Sequence, residues 1–341
     1  MNPQPPRNHV SLPRRPADRW LKEHASIECK GSTKEGYEGV LRNYLRPRFG
    51  KKQLDSIKRE DLKAMIAELI GKKLSRGTIK NAIAVIRRMF NEAIESGIVQ
   101  SNPAAKLGRF TKAAQSSEKK GVALTQAEAQ TFLKAAREVC PEYYAVFLTA
   151  LRAGLRRGEL VALQFGDLNF GAEEKAGSRF IFVQHNYVRR EHTTTKSRKS
   201  RRVDMSRELR RALMEIRDKR LAEVKKTGKS EVTEELVFRG PDGGILDPDN
   251  LYHRYFLPVL EKAGIRKIRL HDLRHTFGSQ LIQGGASIVY VKEQMGHSSI
   301  QVTVDIYGHL IPGANTTFVD RLDVPPTKIP SDALEVPVQV P

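Results

Sequence analysis

Six side chains of this sequence are reactive or charged and stand beside apolar stretches that have no packing use for them. In chain order they are Arg156, one lysine (Lys196 or Lys199), His271, Arg274, His297 and Tyr307. Together they supply what phosphodiester transesterification without a metal requires. A phenol, with an ordinary pKa of about 10, can attack phosphorus and form a covalent ester that conserves the energy of the broken bond. Two guanidiniums can neutralise the charge that builds on the non-bridging oxygens, a task many nucleases give to Mg²⁺. A lysine can protonate the departing 5′ oxygen, and imidazoles can move protons or hydrogen-bond the phosphate. No cofactor and no metal are expected.

Taken singly, the stretches that carry these groups are weak signals. Gly154-Leu155-Arg156-Arg157-Gly158-Glu159 places an arginine at the end of an apolar segment, where it can hold a phosphate bidentately. An ordinary surface turn with an Arg–Glu pair would read the same. Thr193 to Arg202, TTTKSRKSRR, lies between two predicted strands and has the character of a basic hairpin. Lys196, Arg198, Lys199, Arg201 and Arg202 could enter a groove and follow its phosphates, although a solvated charge run is the commoner meaning of such a stretch. In His271-Asp272-Leu273-Arg274-His275, positions 271 and 274 share one face at a helix start. His271 and His275 at i and i+4 could also bind a metal, but no acidic third ligand stands at a familiar spacing. Gly296-His297-Ser298-Ser299 and Tyr307-Gly308-His309 close the set, and a lone tyrosine at a helix end is usually a packing residue. The order and completeness of the set carry the argument.

Such groups need a rigid frame, and the apolar pattern predicts one that is mainly α with a small antiparallel β-sheet (α+β). Tyr37, Val40, Leu41, Tyr44 and Leu45 repeat at helical spacing behind candidate caps Ser32 and Thr33. A second stripe runs from Leu62 to Ile70 and stops at Gly71. A third, Ile79 to Ile94, stops at Gly97 and carries Lys80, Arg87 and Arg88 off its apolar face. Residues 108–122, which include Lys112, are polar and basic and read as an exposed linker. Thr125 and Glu128 have capping-box spacing, and Tyr143 to Leu155 should form a buried helix. Strands are expected at Arg179–Val183, Tyr187–Arg190 and Arg201–Met205, and helices at 206–226, 249–263, 272–283, 287–296 and 300–307.

Charge supports a polyanionic partner. The 341 residues carry a net +20, and residues 1–120 hold 26 basic against 12 acidic side chains. Nucleic acid is the expected partner, the basic N-terminal part gripping phosphates without reading sequence. Cys29 and Cys140 are the only cysteines, too few for a disulfide framework. The start of the chain lacks the apolar run of a signal peptide, and no stretch approaches the length of a membrane span, so a soluble, cytoplasmic protein is expected, with no membrane partner.

The stretches ALRAGLRRGELVALQFGDL, TTTKSRKSRRVDM, LHDLRHTFGSQLIQGG and VKEQMGHSSIQVTVDIYGHL resemble the catalytic domain of the tyrosine recombinase (phage integrase) family. The resemblance implies a disordered extension at 1–16, a helical core-binding domain at 17–107, the linker at 108–122, a catalytic domain at 123–312 and a tail at 313–341. It implies that Arg156 and Arg274 are the phosphate-clamping arginines and that Lys196 is the hairpin general acid. His271 and His297 match the family's histidines and Tyr307 its nucleophile, with Glu159, His275 and His309 in support. It further implies that two domains clamp double-stranded DNA, and that a homotetramer, monomeric before it meets DNA, exchanges strands between two sites through a Holliday junction. Accessory bending or directionality factors would fit the family. Only sixteen residues precede the core-binding match, so binding to distal arm sites is not expected. Type IB topoisomerases share the phosphotyrosine chemistry but would relax DNA as monomers without a defined site. A DNA-binding regulator, the other alternative, would keep its function without Tyr307.

Overall fold

Apolar residues at helical spacing become three helices in the first part of the chain. In the computed structural model, which describes residues 20–21, 29, 31–114, 123–171, 178–188, 191–194, 200–226 and 231–310, they belong to the first of two units, Met1–Lys119 and Lys120–Pro341. Helix α1, Gly31–Val40, continues through a π-helical turn at Leu41–Leu45 and a last turn at Arg46–Phe49. It begins before Ser32, so Ser32 and Thr33 lie inside its first turn and are not the caps expected of them. Helix α2 spans Arg59–Gly71 and α3 spans Arg76–Glu95, the latter capped by Ser75, whose Oγ accepts from Thr78 N at 3.1 Å. Leu41, Leu45, Leu62, Ile66, Ile79, Ile83 and Phe90 meet in one core, while Lys80, Arg87 and Arg88 stay on the exposed face.

The first part of the stretch expected to be linker packs on the first core. Leu107 and Ala114 join the first core, and Thr111 is fully buried, its hydroxyl donating to Gly108 O at 2.7 Å. Three well-spaced small or apolar residues among polar ones are enough to dock this segment. Lys112 is exposed upon it.

The second unit opens with α4, Gln126–Val139, whose Thr125–Glu128 box forms as expected, at 2.8 and 3.1 Å. Helix α5, Tyr144–Ala153, is buried along almost its whole length, and the short α6, Arg157–Val161, follows. Helix α7 spans Arg207–Lys225. Helix α8, Leu257–Lys262, continues a π-helical stretch at Leu251–Phe256. Both π-helical stretches run up to a proline, Pro47 or Pro258, whose missing N–H leaves a carbonyl of the preceding turn without its usual donor. Phe132, Phe147 and Phe256 bring α4, α5 and the π-helical stretch together, with Phe132 at 5.4 and 5.5 Å from the other two ring centroids. Helices α9 (Asp272–Gln283), α10 (Ile288–Met295) and α11 (Ile300–Tyr307) complete the unit. Helix α9 packs on α5, and α10 and α11 pack on each other and on α9.

Among the described residues five strands form where three were expected. Strands β1 (Leu168–Asn169), β2 (Phe180–Val183), β3 (His185–Val188), β4 (Glu191–Thr194) and β5 (Arg201–Asp204) make two sheets, β1-β2-β5 and the hairpin β3-β4, all antiparallel. The chain leaves the first sheet between β2 and β3. There the buried Asp167 carboxylate takes Gln184 Nε2 at 2.7 Å and His185 Nδ1 at 3.0 Å, turning the backbone away from the ladder. Strand β5 pairs Val203 with Ile181 and Arg201 with Val183, which sets both inward side chains of β5 on the buried face of the sheet. Among the described residues no helix is long and apolar enough to cross a membrane.

Candidate active site

Arg156 stands at the N-terminus of α6, immediately after the turn that ends α5. Glu159, one helical turn on, reaches back to it. One carboxylate oxygen accepts from Arg156 Nη1 at 2.8 Å, the other from Arg156 N at 2.8 Å. Arg201 of β5 closes on the same carboxylate as a two-pronged fork, Nη1 at 2.9 Å and Nη2 at 2.7 Å. Glu159 is 2 % exposed. Burial pushes its pKa up, but the Arg201 hydrogen bonds and the charges of Arg201 and Arg156 outweigh that and bring it down to about 2.

Both guanidiniums also hold the C-terminal end of α10. Arg156 Nη2 donates to Gly296 O at 2.6 Å and Arg201 Nε to Gln294 O at 3.2 Å. Gly296 has φ +61, and a Cβ there would fall 2.7 Å from Arg201 Cδ, so a side chain is excluded by backbone and neighbour alike. His297 follows directly, its Nδ1 2.9 Å from Thr303 Oγ1. Arg156, Arg201, Gln294, Gly296, His297 and Ser298 line the wall of a cleft of about 970 Å³.

Arg274 is buried in α9 and donates to two carbonyls, Gly154 O at the end of α5 and Met295 O at the end of α10. Cations are favoured at such helix C-termini, where the last carbonyls lack partners. Burial, together with the nearby Arg156 charge, pushes the Arg274 pKa down to about 9, which leaves it charged at neutral pH. The charges of Arg156 and Arg201 both act on Arg274, and the Glu159 carboxylate opposes them. A half-buried group of this kind, with more positive charge than it can pair, is built to receive an anion.

Tyr307 ends α11 and is 2 % exposed, packed with Phe277, Ile282, Val291 and Met295. Burial pushes its phenol up to about 12, with Arg274 pulling the other way. A Cβ on Gly278 of α9 would sit 2.7 Å from Tyr307 Cζ, so the missing side chain makes room for the ring. The hydroxyl lies 3.1 Å from His275 Nδ1, and the ring stacks on His297 at 6.4 Å with planes 9° apart. His271 stands one ring further away, edge-on to His275 at 5.0 Å, and lines a second hollow with Arg157, Asp249 and Arg269. Burial lowers both His271 and His297 to about 4, so these two imidazoles are neutral at pH 7.

Of the residues singled out by sequence, Arg156 and Glu159 are thus bonded to each other, His275 and His297 stand against Tyr307, and Arg274 ties the ends of α5 and α10 between them, with His271 at the edge. His309 is exposed in the turn after Tyr307. Lys196, Arg198 and Lys199 lie outside the described residues. Arg202 is exposed, its guanidinium 4.2 Å from the Phe180 ring centroid and its Nε 3.3 Å from Asp204. Arg201, expected with it along a groove, has its fork on Glu159 and lines the same cleft. The clue was the alternation in β5, because Val203 is plainly a core residue and Arg201 shares its face.

A rigid helical frame that turns a phosphate-sized cluster of guanidiniums and imidazoles toward a tyrosine defines an enzyme class: tyrosine recombinases, which break and rejoin DNA strands. The chain belongs to the phage integrase family, whose sequence profile matches residues 123–312, with the phage integrase central domain matching residues 14–109. A XerC-like tyrosine recombinase of Caldanaerobacter subterraneus subsp. tengcongensis is 29 % identical over 89 % of this chain and 81 % of its own. The ICEBs1 integrase of Bacillus subtilis is 23 % identical over 87 % and 79 %. Two solved structures share the fold. The Tn1549 transposon integrase in complex with a circular intermediate DNA has a TM-score of 0.73 at 22 % identity and covers 92 % of this chain and all of its own. The lambda integrase tetramer bound to a Holliday junction has 0.66 at 18 %, over 90 % and 80 %.

Proposed function

We propose that this protein is a site-specific DNA recombinase in which Tyr307 attacks the scissile phosphate, forms a 3′-phosphotyrosyl bond and frees a 5′-hydroxyl. The observation that carries this reading is the gathering of Arg156, Arg201 and Arg274 about the Glu159 carboxylate, with the Tyr307 phenol within reach of the Arg274 charge. Arg156 and Arg274 neutralise the non-bridging oxygens, Glu159 and Arg201 hold Arg156 in place, and His297 presents its remaining ring nitrogen to the phosphate. Lys196 protonates the leaving oxygen. The 5′-hydroxyl of a partner duplex then attacks the phosphotyrosine, so each bond broken is exchanged for another and neither ATP nor metal enters the balance. His271 supports His275 from the preceding turn of the chain, and His309 flanks the nucleophile.

Duplex DNA is the substrate, held by both units, and the working assembly is a homotetramer on two sites that passes through a Holliday junction. The relatives seen with circular intermediate DNA and as a tetramer on a junction support this assignment. Residues 17–107 serve as the core-binding domain and 123–312 as the catalytic domain, working in the cytoplasm. The test is a suicide-substrate assay with nicked duplexes enriched from a random pool, run in excess chelator. A covalent protein–DNA band is expected from the wild type, and none from Tyr307→Phe, which should still bind the duplex. Cleavage by Tyr307→Phe, or a band that disappears with chelator, would overturn the mechanism.

A further inference from the structure

Four titratable rings stand in a row through the second unit. His271 meets His275 at 5.0 Å between centroids, His275 meets Tyr307 at 6.1 Å, and Tyr307 meets His297 at 6.4 Å. Only His275 among these histidines places a ring nitrogen at hydrogen-bond distance from the phenol, Nδ1 to Oη at 3.1 Å. His297 turns its Nδ1 to Thr303 and offers Tyr307 a ring face, and His271 is separated from Tyr307 by His275 itself. The phenol, deeply buried, does not ionise on its own near neutral pH, so its proton must leave as the oxygen–phosphorus bond forms.

We propose that His275 is a catalytic residue, the acceptor of the Tyr307 phenolic proton. This rests on the reading of Tyr307 as nucleophile. In its Nε2–H tautomer the imidazole accepts the hydrogen bond through Nδ1. As the phenolic oxygen bonds to phosphorus, the bond from phosphorus to the 5′ oxygen breaks. The phenolic proton passes to Nδ1, and the departing oxygen takes a separate proton from Lys196. In the joining step, the imidazolium returns its proton to the released phenolate.

The groups facing His275 suit this cycle. His271, Asp272 and Arg274 lie on or beside its own turn, with Arg269 just before them. Tyr307 faces it from α11 and His297 from the end of α10. Burial keeps the free imidazole neutral, assisted by the Arg269 and Arg274 charges, while Asp272 favours the cation once the proton arrives. The negative phosphate adds to that preference.

Single-turnover adduct formation on the nicked duplex separates the alternatives. His275→Ala is expected to lose about 100-fold or more in rate while keeping duplex binding, and to recover part of it with added imidazole. His275→Asn, which can keep the hydrogen bond but accept no proton, should show the same loss without recovery. Above neutral pH the wild-type rate should level off, whereas that of His275→Ala should keep climbing as hydroxide takes over. Wild-type or faster rates in both variants would overturn the proposal, a faster rate meaning that the contact restrains a resting tyrosine. Imidazole rescue of His271→Ala in place of His275→Ala would move the role to His271. A wild type that forms no adduct would instead remove the reading of Tyr307 on which all of this depends.

Discussion

Glu159 is the residue on which the pocket's charge balance turns. It accepts four hydrogen bonds, from Arg156 N and Nη1 and from both terminal nitrogens of Arg201, while 2 % exposed. Removing one partner of a buried ion pair leaves the other charge stranded, typically at a cost of about 3–5 kcal/mol. Glu159→Gln is therefore expected to lower stability by roughly that amount in urea titrations at neutral pH, and to lose adduct formation as Arg156 drifts. The pH dependence has a definite sign. The folded pKa, about 2, lies below the ordinary carboxylate value, so the stabilisation is complete above that ordinary value and is lost as pH falls toward 2. Wild-type stability should drop over that acidic range, and Glu159→Gln should drop less; equal slopes would show that this carboxylate is not the group being titrated. Arg201→Lys keeps the charge but not the fork. Misplacement of Arg156 by even 1 Å can cost about 100-fold in rate, and adduct formation should fall on that scale with duplex affinity little changed.

At the scale of elements, the pocket is a meeting of ends. The end of α5 supplies Gly154 O to Arg274, the end of α10 supplies Met295 O to Arg274 and Gly296 O to Arg156, and β5 delivers Arg201. Much of this could be read in advance. The bounds of α9 and α11 agree with the helices expected at 272–283 and 300–307. What stayed hidden was hidden for physical reasons. Basic neighbours masked the inward parity of Arg201, β1 is too short to show alternation, and the exit at Gln184 depends on Asp167, which is distant in sequence. Gly278 belongs here too, since a glycine inside a helix looks like a weakness until the ring lying on it is seen. Gly278→Ala should drive a methyl into Tyr307 and Met295 Sδ, which lies 2.6 Å from the added Cβ position. An overpacked site typically costs about 1–3 kcal/mol, so a thermal melt should shift downward and adduct formation should fall with it. An unchanged melt together with an unchanged rate would mean that α11 retreats freely, and that Tyr307 is held less firmly than its burial implies.

For the molecule as a whole, charge is distributed unlike chemistry. Residues 1–120 carry a net +14 of the total +20, yet every group linked to Tyr307 belongs to the second unit. Grip and catalysis should therefore respond to different substitutions. Lys80 and Arg87 are seven residues apart on α3, hence on one stripe of its exposed face, and Lys112 is exposed as well. Each phosphate that such a side chain neutralises releases counterions, so the slope of log affinity against log salt changes by about 0.9 per contact on duplex DNA. Substituting Lys80, Arg87 and Lys112 together by Gln should flatten that slope by up to about three such steps, and weaken binding nearly equally on target and random duplexes. At saturating DNA, the rate of adduct formation should stay close to wild type, because the arginines and rings around Tyr307 are untouched. A loss of rate at saturation would show that this helix helps to seat the scissile phosphate. An unchanged salt slope would remove the three residues from the DNA-binding surface, and the basic excess of the first unit would then act through its other side chains.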